Sequence, residues 1–173
     1  MQFEAVYRAH YADIWRCLRR FGVSEREAHD ATQEVFMVAL RKLADFAGRS
    51  SVRTWLIGIA YRVAANRRRS AAGIREVLGD QALALAEASL DSRADETDSL
   101  RLVEKVLAKL PLEQRAVFTM FELEQMSGDD IASALGIPVG TVRSRLRLAR
   151  KHFALAAGEL AARQPSRTRV GGA

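Results

Sequence analysis

The first 110 residues of the 173-residue chain contain no proline, and its three prolines stand at Pro111, Pro138 and Pro165. Proline ends or kinks a helix, because it lacks the amide donor and its ring strikes the preceding turn. The stretches between these breaks carry apolar residues every three or four positions, and period-two alternation of β-branched residues is missing. Ala, Leu, Arg and Glu, which lose little freedom in a helix, fill most of the rest. This pattern predicts an all-α chain.

The spacing predicts three helices in the first block. Phe3, Tyr7, Tyr11, Ile14 and Leu18 mark the first, which should end near Gly22. Ser24 and Glu27 have the spacing of a capping box for the second. Ala28, Ala31, Val35, Ala39 and Leu43 form its apolar stripe, with Phe36 and Leu40 beside it. A third helix should begin about Ser51 and bury Val52, Leu56, Ile59 and Val63, with Trp55 at the edge. Residues 71–98 read as a solvated connector, with a short helical stretch allowed over 80–89. Four further helical patterns follow. Pro111 suits the start of the second of these, where a missing amide hydrogen is harmless, and Val117, Met120 and Phe121 face inward there.

Charge divides the chain the same way. Residues 1–73 carry 13 basic and 7 acidic groups, residues 74–98 carry 2 and 7, and residues 99–173 carry 12 and 7. The net +6 is therefore two basic blocks around an acidic segment, which points to an anionic partner. The acidic segment is a candidate to shield the basic faces of the free chain. Runs of ~20 apolar residues are absent, so no membrane insertion is expected. The start, Met1-Gln2-Phe3-Glu4, has no basic segment followed by an apolar one, and a single cysteine, Cys17, allows no internal disulfide. A cytoplasmic, nucleoid-associated protein is expected. His10, His29 and His152 are scattered without ligand spacing, so neither metal nor cofactor is expected, and no grouping of catalytic residues or phosphate loop suggests an enzyme.

Residues 127–153 carry the most specific pattern. Ser127-Gly128-Asp129-Asp130 is a helix-opening signature. Ile131, Ala132 and Leu135 give a short apolar face, Gly136 suits a left-handed stop, and Ile137-Pro138 makes a turn. In the next helix Val142, Leu146, Ala149 and Phe153 share one side. Arg143, Arg147, Arg150 and Lys151 share the outer arc, with Thr141 and Ser144 near its start. This is the layout of a helix-turn-helix whose second helix enters the major groove. Arginine there matches the two acceptors of guanine, and Thr141 with nearby amides suits phosphate.

From Leu110 to Phe153 the chain resembles region 4 of bacterial RNA polymerase sigma factors, above all the small extracytoplasmic-function (ECF) group. The carriers are Leu110-Pro111-Leu112-Glu113-Gln114-Arg115, Asp130-Ile131-Ala132, Gly136-Ile137-Pro138 and Gly140-Thr141-Val142-Arg143-Ser144-Arg145-Leu146. Residues 3–70 resemble region 2 of the same group, through Asp30-Ala31-Thr32-Gln33-Glu34-Val35-Phe36 and Ser51-Val52-Arg53-Thr54-Trp55-Leu56. The resemblance implies two small helical domains: region 2, a three-helix bundle, over 1–72, and region 4, with the helix-turn-helix, over 99–163. A flexible linker, 73–98, would join them, and 164–173 would be a disordered tail. It implies a non-enzymatic promoter-specificity subunit that binds core RNA polymerase, through the β′ clamp helices and the β flap, and melts promoter DNA. It also implies an anti-sigma factor as partner.

By the same resemblance Asp30, Gln33, Glu34 and Met37 bind core polymerase. Gly48, Arg49, Ser50, Ser51, Arg53, Trp55, Arg62, Asn66 and Arg69 bind the minus-ten element, the Gly48–Ser51 loop holding a flipped base, while Trp55 fits a DNA contact or a core position. Thr141, Arg143, Ser144, Arg147 and Lys151 bind the minus-thirty-five element. The chain departs from the group in having Ile59-Ala60-Tyr61-Arg62 where Ile-Ala-Arg-Asn is common, and Leu148 where arginine is frequent. A stand-alone helix-turn-helix regulator with a helical sensor or dimerisation domain is the alternative.

Overall fold

In the computed structural model the described residues are 2–78 and 98–163, and every regular element among them is helical. We number the helices α1 (Phe3–Phe21), α2 (Glu25–Lys42), α3 (Val52–Leu78), α4 (Asp98–Ala108), α5 (Leu112–Phe118), α6 (Gly128–Leu135) and α7 (Val139–Arg163). A short 3-10 turn, Leu43–Asp45, follows α2, and a π turn, Thr119–Leu123, follows α5. The expected linker beyond residue 78, its short helix over 80–89 and the tail at 164–173 fall outside the described residues. No described helix is long and apolar enough to cross a membrane.

Helices α1, α2 and α3 bury Ile14, Leu18, Val35, Phe36, Leu56 and Ile59 between them. Gly22 ends α1 in the left-handed conformation (φ 98°), its amide donating back to Arg19 and Leu18 carbonyls. Three sequence expectations are corrected here. The capping box at Ser24 does not form, because the Ser24 hydroxyl donates to the Glu27 carboxylate (2.5 Å) instead of accepting the Glu27 amide. Leu40 is not in the core: it is 54% exposed, one turn from Met37 at 60%. Helix α3 continues to Leu78 through the expected boundary at 72. Gly73 alone costs a helix only ~1 kcal/mol, and the surrounding Ala71, Ala72, Ile74, Arg75, Glu76 and Leu78 favour it.

The second unit has its own apolar cluster, in which Leu107, Leu110, Phe118 and Ala149 meet Val103, Leu123 and Phe153. The Phe118 and Phe153 rings stack 4.5 Å apart. Phe118 thus takes the inward position alongside Val117 and Met120, while Phe121 stays half-buried. The two units are not separate bodies. Leu112, Ala116, Met120, Met126, Ile131 and Val142 of the second share one buried cluster with α1, α2 and α3 of the first.

Candidate nucleic-acid interface

Helix α6 begins as the sequence dictates. The Ser127 side chain accepts the Asp130 amide (3.1 Å), and Gly136 ends the helix at φ 68°. Ile131 and Ala132 are buried, fixing α6 against the next helix. Val142, Leu146 and Ala149 are buried along α7, so its other side is held outward. Arg143, Ser144, Arg147 and Lys151 are exposed there and Thr141 is half-buried. The Ser144 hydroxyl donates to the Thr141 carbonyl (3.0 Å). Arg150 is also exposed, but it is tied to Glu122 (2.6 Å) and lies over the Phe121 ring (5.4 Å). The arc open to a groove is therefore Arg143, Ser144, Arg147 and Lys151.

The long α3 presents a second basic face. Arg62, Asn66 and Arg69 are exposed along it, and Asn66 accepts a hydrogen bond from Arg69. The loop before α3 holds Gly48 in the left-handed region (φ 67°) with open space around it, which a branched side chain would strain. Arg49 is exposed beside it, and Ser51 caps α3 by accepting the Thr54 amide (3.0 Å). Trp55 is half-buried against Phe46, ring centres 4.8 Å apart, which braces the loop. On α2, Asp30, Gln33 and Met37 are exposed on one face. Glu34, on the same face, is half-buried because Arg67 of α3 donates to it twice (2.9 and 3.1 Å).

Two of the basic residues assigned to DNA from sequence are engaged elsewhere. Arg53 donates to the Glu124 carboxylate and to the Glu124 carbonyl (3.2 Å), and Arg62 donates to the Ala134 carbonyl (3.2 Å). Both acceptors belong to the second unit. Glu124 also takes Arg20 (2.5 Å), and its side chain is only 6% exposed. The π turn makes this possible: the Glu124 amide bonds back to the Thr119 carbonyl (2.9 Å), and Gln125 next to it takes φ 55° to reverse the chain. Arg19 of α1 pairs in the same way with Glu104 of α4 (2.9 Å).

Arg115 is the other residue the sequence did not reveal. It is buried and donates to the carbonyls of Ala108 (2.7 Å), Leu110 (3.2 Å) and Phe21 (3.3 Å). These are orphan acceptors at the ends of α4 and α1, so one guanidinium caps helices from both units. Burial, with a smaller contribution from Arg68, lowers its pKa to about 10. Gly58 completes the contact, since a Cβ built there would lie 3.1 Å from the Ala134 carbonyl oxygen and 3.2 Å from its Cβ. No periodicity marks such residues, because each answers to a partner far away in sequence. A tyrosine lies at the same junction: burial and then Glu113 raise the pKa of Tyr61, opposed by Arg145 and Arg69.

Comparison with known proteins adds a second line of argument. Residues 6–74 match the family model described as Sigma-70 region 2, and residues 100–153 match that of Sigma-70, region 4. The ECF RNA polymerase sigma factor SigC of Mycobacterium tuberculosis is 34% identical over 148 residues, covering 85% of this chain and 78% of that protein. The RNA polymerase sigma-H factor of Pseudomonas aeruginosa is 37% identical over 160 residues, covering 86% and 82%. Among solved structures, the sigma factor RpoE of Bartonella quintana, crystallised with the anti-sigma factor NepR, superposes with a TM-score of 0.71 at 21% identity. It covers 94% of this chain and 98% of that one, which is a likeness of fold.

Proposed function

Because the chain belongs to the ECF group of RNA polymerase sigma factors, we infer that it is a promoter-specificity subunit, and that its open basic faces divide the work of promoter recognition. It binds core RNA polymerase and directs initiation by recognising and melting promoter DNA. Members of the family are regulators, and this one is assigned no reaction of its own: strand opening is driven by binding energy. It works with polymerase in the cytoplasm, on nucleoid DNA.

The first unit, α1 to α3, is assigned to polymerase and the minus-ten element. The α2 face of Asp30, Gln33 and Met37 meets the β′ clamp helices, and the exposed Leu40 extends its apolar edge. An apolar centre flanked by polar groups is the ordinary anatomy of a protein interface. Glu34 holds Arg67, and with it α2 against α3, as well as flanking that face. The Gly48–Ser51 loop, with Arg49, cradles a base drawn from the non-template strand, where an unstacked base needs polar edge contacts and nearby positive charge. Trp55 serves by bracing that loop through Phe46. Asn66 and Arg69 follow the phosphates, joined by Arg53 once it leaves Glu124 and by Arg62 once it leaves the Ala134 carbonyl.

The second unit, α4 to α7, is assigned to the β flap and the minus-thirty-five duplex. Arg143 and Arg147 read base edges from the major groove, while Thr141, Ser144 and Lys151 hold phosphates. An anti-sigma factor is the expected inhibitor, as in the Bartonella quintana complex that shares the fold.

The observation that carries the assignment is the pairing of an outward basic recognition helix with a separate exposed Asp30–Met37 face, which a stand-alone regulator would not need. The test is capture of core polymerase by the tagged chain. Asp30→Ala combined with Met37→Ala should weaken capture about tenfold or more, as losing an interface anchor does. Unchanged capture by the double variant would refute the α2 assignment.

A further inference from the structure

Five large apolar side chains are exposed among the described residues: Met37, Leu40, Leu102, Leu148 and Leu155. Met37 and Leu40 belong to the open face of α2, and Leu102 edges a small apolar hollow with Val106, Ala157 and Ala161. Leu148 has neither setting. It is 37% exposed and belongs to neither buried apolar cluster. Its surface neighbours on α7 are Ser144, one turn before it, and Lys151, one turn after it, both exposed. From Arg143 to Lys151 the helix rises about 12 Å, which is the width of the major groove. Leu155 lies a further turn along, past that width. A groove that receives Arg143, Arg147 and Lys151 therefore receives Leu148 as well. We propose that Leu148 is a specificity-determining residue, which reads the 5-methyl group of a thymine in the minus-thirty-five element. This rests on the promoter-subunit reading given above, and it adds one base contact to it.

A lone exposed leucine is ordinary on a protein surface, so its position carries the inference and its exposure alone does not. In the major groove guanine, adenine and cytosine present only hydrogen-bonding atoms, whereas thymine adds an apolar group, its 5-methyl. A leucine side chain neither donates nor accepts. Set against guanine O6, adenine N6 or cytosine N4, it would strip water from a polar atom and return no hydrogen bond. Set against the thymine methyl, it takes apolar surface of both partners out of water. The rest of α7 holds the leucine to this task. Val142, Leu146 and Ala149 are buried along the opposite side, so the helix cannot roll to turn Leu148 away from the groove. Arg143 and Arg147 lie on the adjacent row and suit guanine. The element that α7 recognises then joins guanines to a thymine.

The test removes one methyl group from the DNA and leaves the protein unaltered. A promoter is first selected from a library with core polymerase and the full chain. Each thymine of its minus-thirty-five element is then replaced in turn by deoxyuridine, which lacks only the 5-methyl. The wild-type chain with polymerase should lose about fourfold in promoter affinity at one of these positions, the worth of one methyl group taken out of water. Leu148→Ala should bind the thymine and deoxyuridine forms of that position equally, while still preferring guanine where Arg143 and Arg147 read. An element without thymine overturns the proposal. So does wild-type binding that is equal for thymine and deoxyuridine at every position, or a fourfold difference that survives in Leu148→Ala. Loss of polymerase capture by Leu148→Ala with the thymine preference intact would place the leucine on a protein partner, and overturns it too. A wild-type chain that directs no specific initiation would instead overturn the promoter-subunit reading, and this contact with it.

Discussion

Gln125 is the one described non-glycine residue with positive φ, at 55°. Its side chain secures the turn by donating to the Glu122 carbonyl (2.8 Å). A non-glycine residue in this region costs of order 1–3 kcal/mol, so Gln125→Gly should raise unfolding free energy by about 1 kcal/mol in chemical denaturation once the lost side-chain bond is offset. A drop of that size would mean the turn depends on the amide. Arg143 belongs to function. Arg143→Ala should relax upstream-element preference by about 1–3 kcal/mol at one base position and leave polymerase capture unchanged. Cys17 belongs to the core. Burial first, then Glu124, raise its pKa well above the usual 9.0. The folded chain therefore keeps the thiol proton where the unfolded chain releases it. The resulting stability is complete below pH 9.0 and declines as pH rises above it. Burial raises Tyr11 and Tyr61 too, and they act in the same direction from 10.0 upward. Denaturation midpoints should fall between about pH 8 and about pH 10, and less steeply in Cys17→Ala. Parallel slopes would contradict the assignment.

The helix ends show which elements a sequence can announce. Ser127, Gly136 and Gly22 act within a few residues of themselves, through a hydroxyl on an amide or a left-handed backbone, so their chemistry is visible locally. Ser127→Ala should cost about 1 kcal/mol of stability and fray α6, read by amide exchange at Asp130. Full protection there would contradict the cap. Ser24 had the same local signature and a different outcome, because Glu27 took the hydroxyl itself. Leu40 fitted the apolar stripe of α2 on spacing alone, but it lies on the open face beside Met37. The end of α3 was hidden because the glycines, alanines and acidic surplus of residues 71–98 have the composition of a connector, whereas the helix runs on through Gly73 to Leu78. The π turn was hidden because its purpose, aiming Glu124 at two arginines of the first unit, depends on residues some seventy and a hundred positions earlier.

At the scale of the whole molecule, the order of the units and the outward set of α7 were legible, since both follow from periodicity and motif. The mutual packing was not. Arg115, Glu124 and Gly58 tie the units together through contacts that no helical period records, and they divert Arg53 and Arg62 from the DNA role that spacing suggested. Charge was legible only as a sum. It gave two basic blocks without showing which arginines face solvent. The central claim is that this chain confers promoter choice on polymerase. It is tested most directly by sequencing the transcripts that core polymerase makes from a random promoter library with and without the chain. The account predicts a discrete set of start sites, present only with the chain and sharing elements near minus ten and minus thirty-five. An identical distribution of start sites with and without the chain would contradict it.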